Sequence, residues 1–265
     1  MSEHFKLNIE DQIATLTLNR PEVHNAFDDE LIANLTSALK QIENHSDVRL
    51  VVLTSTGKHF SAGADLNWMK RMARLSENEN REDAQQLAEL MYTLNALNKP
   101  TLAVVKGAAY GGAVGLIACC DMAIATEESR FCLSEVKIGL SPAVISPFVL
   151  NAMGERAARR YCLTGEIFSA AQAKQLGLLH EVAKDETELH ALQHQFSTQL
   201  LANSPQAVMQ TKQLIQRIAQ QGINQTVRDD TVNVIASIRV SDEGQEGLSS
   251  FLEKRQANWV IHHEE

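Results

Sequence analysis

One carboxylate stands among apolar neighbours in Leu133-Ser134-Glu135-Val136-Lys137-Ile138-Gly139. Burial would raise its pKa, and a raised pKa suits a group that gives and takes protons near neutrality. A salt bridge from Glu135 to Lys137 or another cation is the competing reading of the same residues. Two upstream loops suggest a different chemistry, carried by backbone. Phe60-Ser61-Ala62-Gly63-Ala64-Asp65-Leu66 and Ala109-Tyr110-Gly111-Gly112 are built mostly of small residues, and each follows a short apolar run. A helix starting just after each loop would leave free N–H groups at its positive end, an anion site that needs no charged side chain. Two such N–H groups converging on one point form an oxyanion hole. The alternative is a pair of tight turns whose glycines serve only helix–strand packing.

Other chemical patterns are incomplete. Thr56-Gly57-Lys58 lacks the glycine a phosphate-binding P-loop needs five residues before Gly57, where Val52 stands, and His59 replaces its Ser or Thr. The glycines at 107, 111, 112 and 115 do not spell GxGxxG. In His59-Phe60-Ser61-Ala62-Gly63 the first glycine of a GxSxG nucleophile elbow is missing. His190 and His194 share a helix face without the glutamate of HExxH, which indicates solvated surface. The four cysteines, Cys119, Cys120, Cys132 and Cys162, have no CxxC spacing, so neither disulfides nor a bound metal are expected. A formal charge of −9 argues against sequence-independent nucleic-acid binding. No apolar run reaches the roughly 20 residues of a membrane span, and MSEHFKLNIEDQ lacks a signal-peptide pattern. The expectation is a cytoplasmic protein that contacts neither membrane nor nucleic acid.

The elements that must position these groups follow from periodicity. Phe5–Ile9 and Ile13–Leu18 alternate as a hairpin. A helix capped by Asp28 or Asp29 runs to Ile42, followed by a buried strand at Leu50–Leu53 and a helix from about Arg81 to Leu97. A strand at Leu102–Val105, a buried helix after Gly112 and a strand at Met122–Ala125 complete the first half. These strands do not alternate, as expected when helices cover both faces of a parallel or mixed sheet. After Pro147 only a short strand near Leu179–Val182 is expected among helices at Glu155–Leu163, Ala170–Leu176, Glu186–Leu201, Pro205–Ala219, Ile223–Val240 and Glu243–Asn258. The fold class is α/β, with a helical C-terminal region.

Five segments in order resemble the enoyl-CoA hydratase/isomerase (crotonase) superfamily: LTLNRPEVHNAF at 16–27, VVLTSTGKHFSAGADL at 51–66, KPTLAVVKGAAYGGAVGLIACCDMAIA at 99–125, FCLSEVKIGLSP at 131–142 and EGLSSFLEKRQANW at 246–259. GADLNWMK, GAAYGGAVGLI and EVKIGLSPAVISPF further resemble its methylglutaconyl-CoA and γ-carboxygeranoyl-CoA hydratase branch, which serves leucine and acyclic-terpene breakdown. The resemblance implies a crotonase-like spiral of ββα repeats over residues 1–200. It also implies a C-terminal helical region over 201–265 that builds homotrimers, often paired into hexamers.

The resemblance also implies roles. The N–H groups of Ala64 and Gly112 would grip the thioester oxygen of an acyl-CoA, and Glu135 would handle the C2 proton. Val23, His24, Ala62, Asp65 and Leu66 would line the CoA path, which Phe251 and Lys254 would reach from a C-terminal helix. Coenzyme A is then part of the substrate and no separate cofactor is implied. The implied reaction adds water to the 2,3 double bond of an enoyl-CoA, a branched or carboxylated one such as 3-methylglutaconyl-CoA. Typical hydratases carry a second glutamate where this sequence has Gly115. A Δ3–Δ2 enoyl-CoA isomerase, which needs one acid, and a catalytically silent CoA-binding subunit are the alternatives. Trp68, Met69 and Met72 either line an acyl pocket or pack a helix.

Overall fold

The computed structural model describes residues 4–260. The chain divides into two compact units: Met1–Leu97 with Thr101–His194, and Asn98–Pro100 with Gln195–Glu265.

The first unit opens with the expected hairpin of β1 (Phe5–Glu10) and β2 (Ile13–Leu18). Asp11 and Gln12 turn it at φ 49° and 66°, a left-handed pair that matches the right-handed twist of the flanking strands. Next come α1 (Asp29–Glu43), β3 (Leu50–Ser55), α2 (Leu66–Met72) and α3 (Glu77–Ala96). The middle of the chain forms β4 (Thr101–Val105), β5 (Ala108–Tyr110), α4 (Gly112–Cys119), β6 (Met122–Thr126) and β7 (Arg130–Cys132). It continues through α5 (Ser146–Met153), α6 (Glu155–Thr164), β8 (Phe168–Ser169), α7 (Ala170–Gln175), β9 (Glu181–Ala183) and α8 (Glu186–Leu201), whose residues from Gln195 on are counted with the second unit.

The larger sheet has the order β1-β2-β3-β4-β6-β9, and every pair after the hairpin is parallel. Its interior strands are apolar runs because both faces are covered: all five residues of β4 are buried. A smaller sheet, β5-β7-β8, stands beside it. Isolated parallel bridges extend this small sheet, pairing Ser61 with Ala109 and Phe27 with Ala64. Each repeat therefore runs from a strand of the large sheet to a short one of the small sheet and on to a helix, as in β4-β5-α4.

Several boundaries depart from expectation. The strands β5, β7 and β8 are two or three residues long, too short to carry a readable period. So β8 adds a strand after Pro147 where only the β9 region was expected. α3 starts at Glu77 rather than near Arg81 because Ser76 and Glu79 form a reciprocal capping box, hidden in a polar first turn. α5 is a two-turn apolar helix without a side-chain cap, and Pro147 in its first turn is its sole start signal.

The second unit holds α9 (Pro205–Ile218), α10 (Gln225–Arg239) and α11 (Asp242–Glu253), capped by Ser204, Asn224 and Ser241. α11 stops before the expected Asn258 because Lys254 turns left-handed at φ 55°. Beyond it, Arg255 forks onto both oxygens of Glu246 at 2.6 and 2.8 Å. That guanidinium holds the Glu246 carboxyl down at about 2.

Candidate functional site

Neighbouring extended segments of the small sheet end side by side, and each end delivers one group. At the first, Phe27 N–H donates to Gly63 O at 2.8 Å and Asp65 N–H donates to Phe27 O at 2.7 Å. Successive residues of extended chain face opposite ways, so the N–H of Ala64 points away from Phe27. Burial follows the same period: Ser61, Gly63 and Asp65 are buried, while Ala62, Ala64 and Leu66 are exposed.

β5 provides the second end. Gly111 turns the chain into α4 at φ 55° and ψ −123°, a conformation that residues with a Cβ avoid. Its N–H donates to Cys132 O at 2.8 Å and ties the turn to the end of β7. Gly112 is the first residue of α4, so its N–H has no intrahelical acceptor and lies at the positive end of the helix dipole. The two loops touch. A Cβ on Gly63 would lie 3.4 Å from Tyr110 O, and one on Gly112 would lie 3.7 Å from Phe27 Cδ2.

The third end follows β7, where Glu135 opens a short 3-10 turn. A Cβ on Gly111 would lie 3.2 Å from Glu135 Oε1. Glu135 Oε2 is buried and has no hydrogen-bond partner. Burial pushes this carboxyl above the usual carboxylate range, opposed only in part by the residue's own backbone N–H. The salt-bridge reading of Glu135 fails, since no ion pair joins it to Lys137 among the described residues and the Lys137 stem packs against Gly165. Two polarising N–H groups beside one desolvated, unpartnered carboxylate can stabilise charge on a carbonyl oxygen and move a proton near it.

Gly115 lies on α4 three residues beyond Gly112, so both face the same side of the helix. A Cβ there would stand 2.3 Å from Ile145 Cγ2 and 2.7 Å from Ile145 Cβ, with Met91 Cε at 3.3 Å. Apolar packing occupies the position that a second acid would need.

Of the other residues expected at the site, Val23, His24 and Ala62 come together, with Ala62 N–H donating to His24 O at 3.0 Å. Leu66 is 73% exposed at the start of α2. Asp65 turns inward: it is 8% exposed, caps α2 through the N–H groups of Asn67 and Trp68, and faces Arg20. Trp68 is buried and bonds Asp83, which favours helix packing for that stretch. Phe251, 82% exposed near the end of α11, and Lys254 belong to the second unit. His24 meets His59 edge-on at 5.2 Å. Burial first, then His24 and Lys58, push the His59 imidazole down, and its Nδ1 accepts the Ala108 N–H at 3.1 Å.

Two contributors escaped the sequence reading. Phe27 lies in the segment 16–27, but its place between Ala64 and Gly112 is set by tertiary pairing. Ile145 carries no local signal at all, because its contact with Gly115 exists only once α4 and α5 pack.

The family profile described as Enoyl-CoA hydratase/isomerase matches residues 8–261. The crystal structure of an enoyl-CoA hydratase from Shewanella pealeana superposes with a TM-score of 0.94 at 45% identity, covering 97% of this chain and 96% of that one. Among curated proteins, the short-chain-enoyl-CoA hydratase of Clostridium acetobutylicum is 30% identical over 94% of each chain. The 2,3-dehydroadipyl-CoA hydratase of Escherichia coli is 30% identical over 92% of this chain and 93% of its own length.

Proposed function

Since the chain belongs to the enoyl-CoA hydratase/isomerase family, we propose that it is an enoyl-CoA hydratase, adding water across the 2,3 double bond of an acyl-CoA thioester. The observation that carries this reading is the buried, unpartnered Glu135 Oε2 set beside the Gly111-Gly112 turn. The N–H groups of Ala64 and Gly112 take the thioester oxygen. As a water oxygen bonds to C3, the π electrons shift through C2 onto that oxygen as an enolate. Collapse of the enolate draws a proton onto C2, which Glu135 delivers, and the proton lost by the water restores the carboxyl. Val23, His24, Ala62 and Leu66 line the CoA path. Phe251 and Lys254 supply the C-terminal contribution to it, in a homotrimer or a hexamer of paired trimers. Coenzyme A arrives as part of the substrate, with no separate cofactor or metal, and the reaction proceeds in the cytoplasm.

The acyl group we assign is branched or carboxylated, 3-methylglutaconyl-CoA being the example, as the branch resemblance of residues 63–70, 107–117 and 135–148 suggests. A substrate carboxylate can hold the water that no residue at 115 is there to hold. A relative named for 2,3-dehydroadipyl-CoA, itself a dicarboxylic acyl-CoA, supports this choice. The packing of Ile145 onto Gly115 also favours a second reading, a Δ3–Δ2 isomerase in which Glu135 alone carries a proton between C2 and C4.

A panel of straight, branched and carboxylated enoyl-CoAs in H₂¹⁸O separates these readings. Label in the product shows hydration, a shifted double bond without label shows isomerisation, and no turnover of any member removes both. Gly112→Val supplies a local test. A Cβ at 112 meets only ordinary contact with Phe27, so the protein should fold while the extra methyls obstruct the thioester oxygen. Acyl-CoA affinity, measured by calorimetry, should fall at least tenfold, on the order of 1.4 kcal/mol. Unchanged affinity would remove this turn from the site.

A further inference from the structure

The FSAGAD loop has to hold one backbone N–H in a fixed direction, and a charge cluster centred on Arg20, Asp28 and Asp65 lies directly behind it, with His4 Nδ1 3.8 Å from Asp28 Oδ1 at its edge. Arg20 Nη1 donates to Asp28 Oδ2 at 2.6 Å and to Ala26 O at 3.0 Å, while Nη2 reaches Asp65 Oδ2 at 3.5 Å. The three side chains are only 11–14% exposed. Each aspartate has its other oxygen committed: Asp28 Oδ1 caps α1 through Leu31 N–H at 2.8 Å, and Asp65 Oδ1 caps α2 through Asn67 N–H at 2.8 Å.

The placement of these two aspartates in the chain matters. Asp28 follows Phe27 and Asp65 follows Ala64, and Phe27 and Ala64 are the bridged pair. Arg20 therefore closes the ladder one residue past the bridge on both segments, and through Ala26 O it also grips the residue before Phe27. Its own N–H donates to Asn25 Oδ1, whose amide spans to Thr56 O and His59 O. One guanidinium thus ties the 20–28 segment to the loop that carries Ala64.

We infer that Arg20 is a positioning residue for the reaction: it bridges the capping aspartates of α1 and α2 and so fixes the direction of the Ala64 N–H. This rests on the reading of Ala64 as a donor to a thioester oxygen. Without the cation, two carboxylates would face each other in a poorly solvated pocket and repel. The Phe27–Ala64 pairing is where that repulsion would open the chain. A donor displaced by about 1 Å, or lost, costs roughly 10²-fold in rate. A purely structural capping role would instead lower stability and leave the folded enzyme's turnover alone.

The test uses Arg20→Met, which keeps the apolar stem, and Arg20→Lys, which keeps a cation but cannot fork to two carboxylates. Turnover is followed with crotonyl-CoA and 3-methylglutaconyl-CoA. Polarisation is read from the infrared carbonyl stretch of bound butyryl-CoA labelled with ¹³C at C1, a saturated thioester that cannot be hydrated. In the wild type the stretch should drop on binding. In Arg20→Met it should return towards the free value, with kcat about 100-fold lower and KM within a few-fold, and Arg20→Lys should recover part of both. A folded Arg20→Met with wild-type stretch and kcat overturns the inference. If Arg20→Met does not fold, a wild-type stretch in Arg20→Lys overturns it instead. If the wild type itself shows no shift on binding, the oxyanion reading fails before Arg20 is tested.

Discussion

Glu135→Gln should lower turnover about 10²- to 10⁴-fold, the span that general acid–base catalysis supplies, while acyl-CoA still binds. The amide keeps the shape of the side chain and loses the capacity to give and take a proton, and the N–H groups of Ala64 and Gly112 are untouched. Steady-state kinetics beside calorimetric affinity checks both halves, and an unchanged rate would take Glu135 out of the reaction. The same variant carries a stability signature. Burial raises the Glu135 pKa, so the folded protein holds this proton more tightly than the unfolded chain does. Its charged form therefore costs stability in full above the folded pKa, and the cost fades as pH falls from there and is gone below the unfolded value. Gln removes the cost. Tm of the variant should exceed that of the wild type at pH 7, and the gap should close towards about pH 4, the ordinary glutamate value. A gap that widens on acidification would mean the carboxylate is stabilised in the fold.

Gly115→Glu should fail to create a second acid and should destabilise the chain by more than about 3 kcal/mol. Its Cβ alone would sit 2.3 Å from Ile145 Cγ2, so α4 and α5 would have to part. Beyond that, the new carboxylate would be buried against Ile145 and Met91 without a partner. Urea unfolding measures the loss. Pairing the change with Ile145→Gly should recover part of the stability by opening the space. A stable Gly115→Glu single variant with faster hydration would show that the pocket yields where the packing says it does not.

Parts of this protein were legible before its coordinates. Buried strands such as Leu102–Val105 announced themselves as unbroken apolar runs, and α1 carried both its cap and its stripe. Glu135 was conspicuous because a carboxylate among apolar residues demands a reason. The small sheet was not legible, since strands of two or three residues have no period to read. Asp65 shows the limit differently. Its motif position marked it for the ligand path, but alternation along an extended segment turns its side chain inward, and only the pairing with Phe27 sets which way the alternation falls. The emptiness at Gly115 could be noticed in sequence as a missing acid, but the cause, a methyl group from thirty residues further on, could not.

The stacked strand ends have an evolutionary corollary. The Ala64 amide, the Gly112 amide and the Glu135 carboxylate come from three different windings of the chain, the first held by an isolated bridge to Phe27 and the others placed after β5 and β7. Backbone hydrogen bonds tie each winding to the next, Tyr110 N–H to Ser61 O at 3.0 Å and Gly111 N–H to Cys132 O at 2.8 Å, so the three groups share one register. The packing at Gly115 alters the wall beside the site while the Gly111-Gly112 turn, held by Cys132 O, stays in register. On the proposed reading, such a scaffold can exchange its proton carriers like interchangeable parts and keep one constant grip on the thioester oxygen.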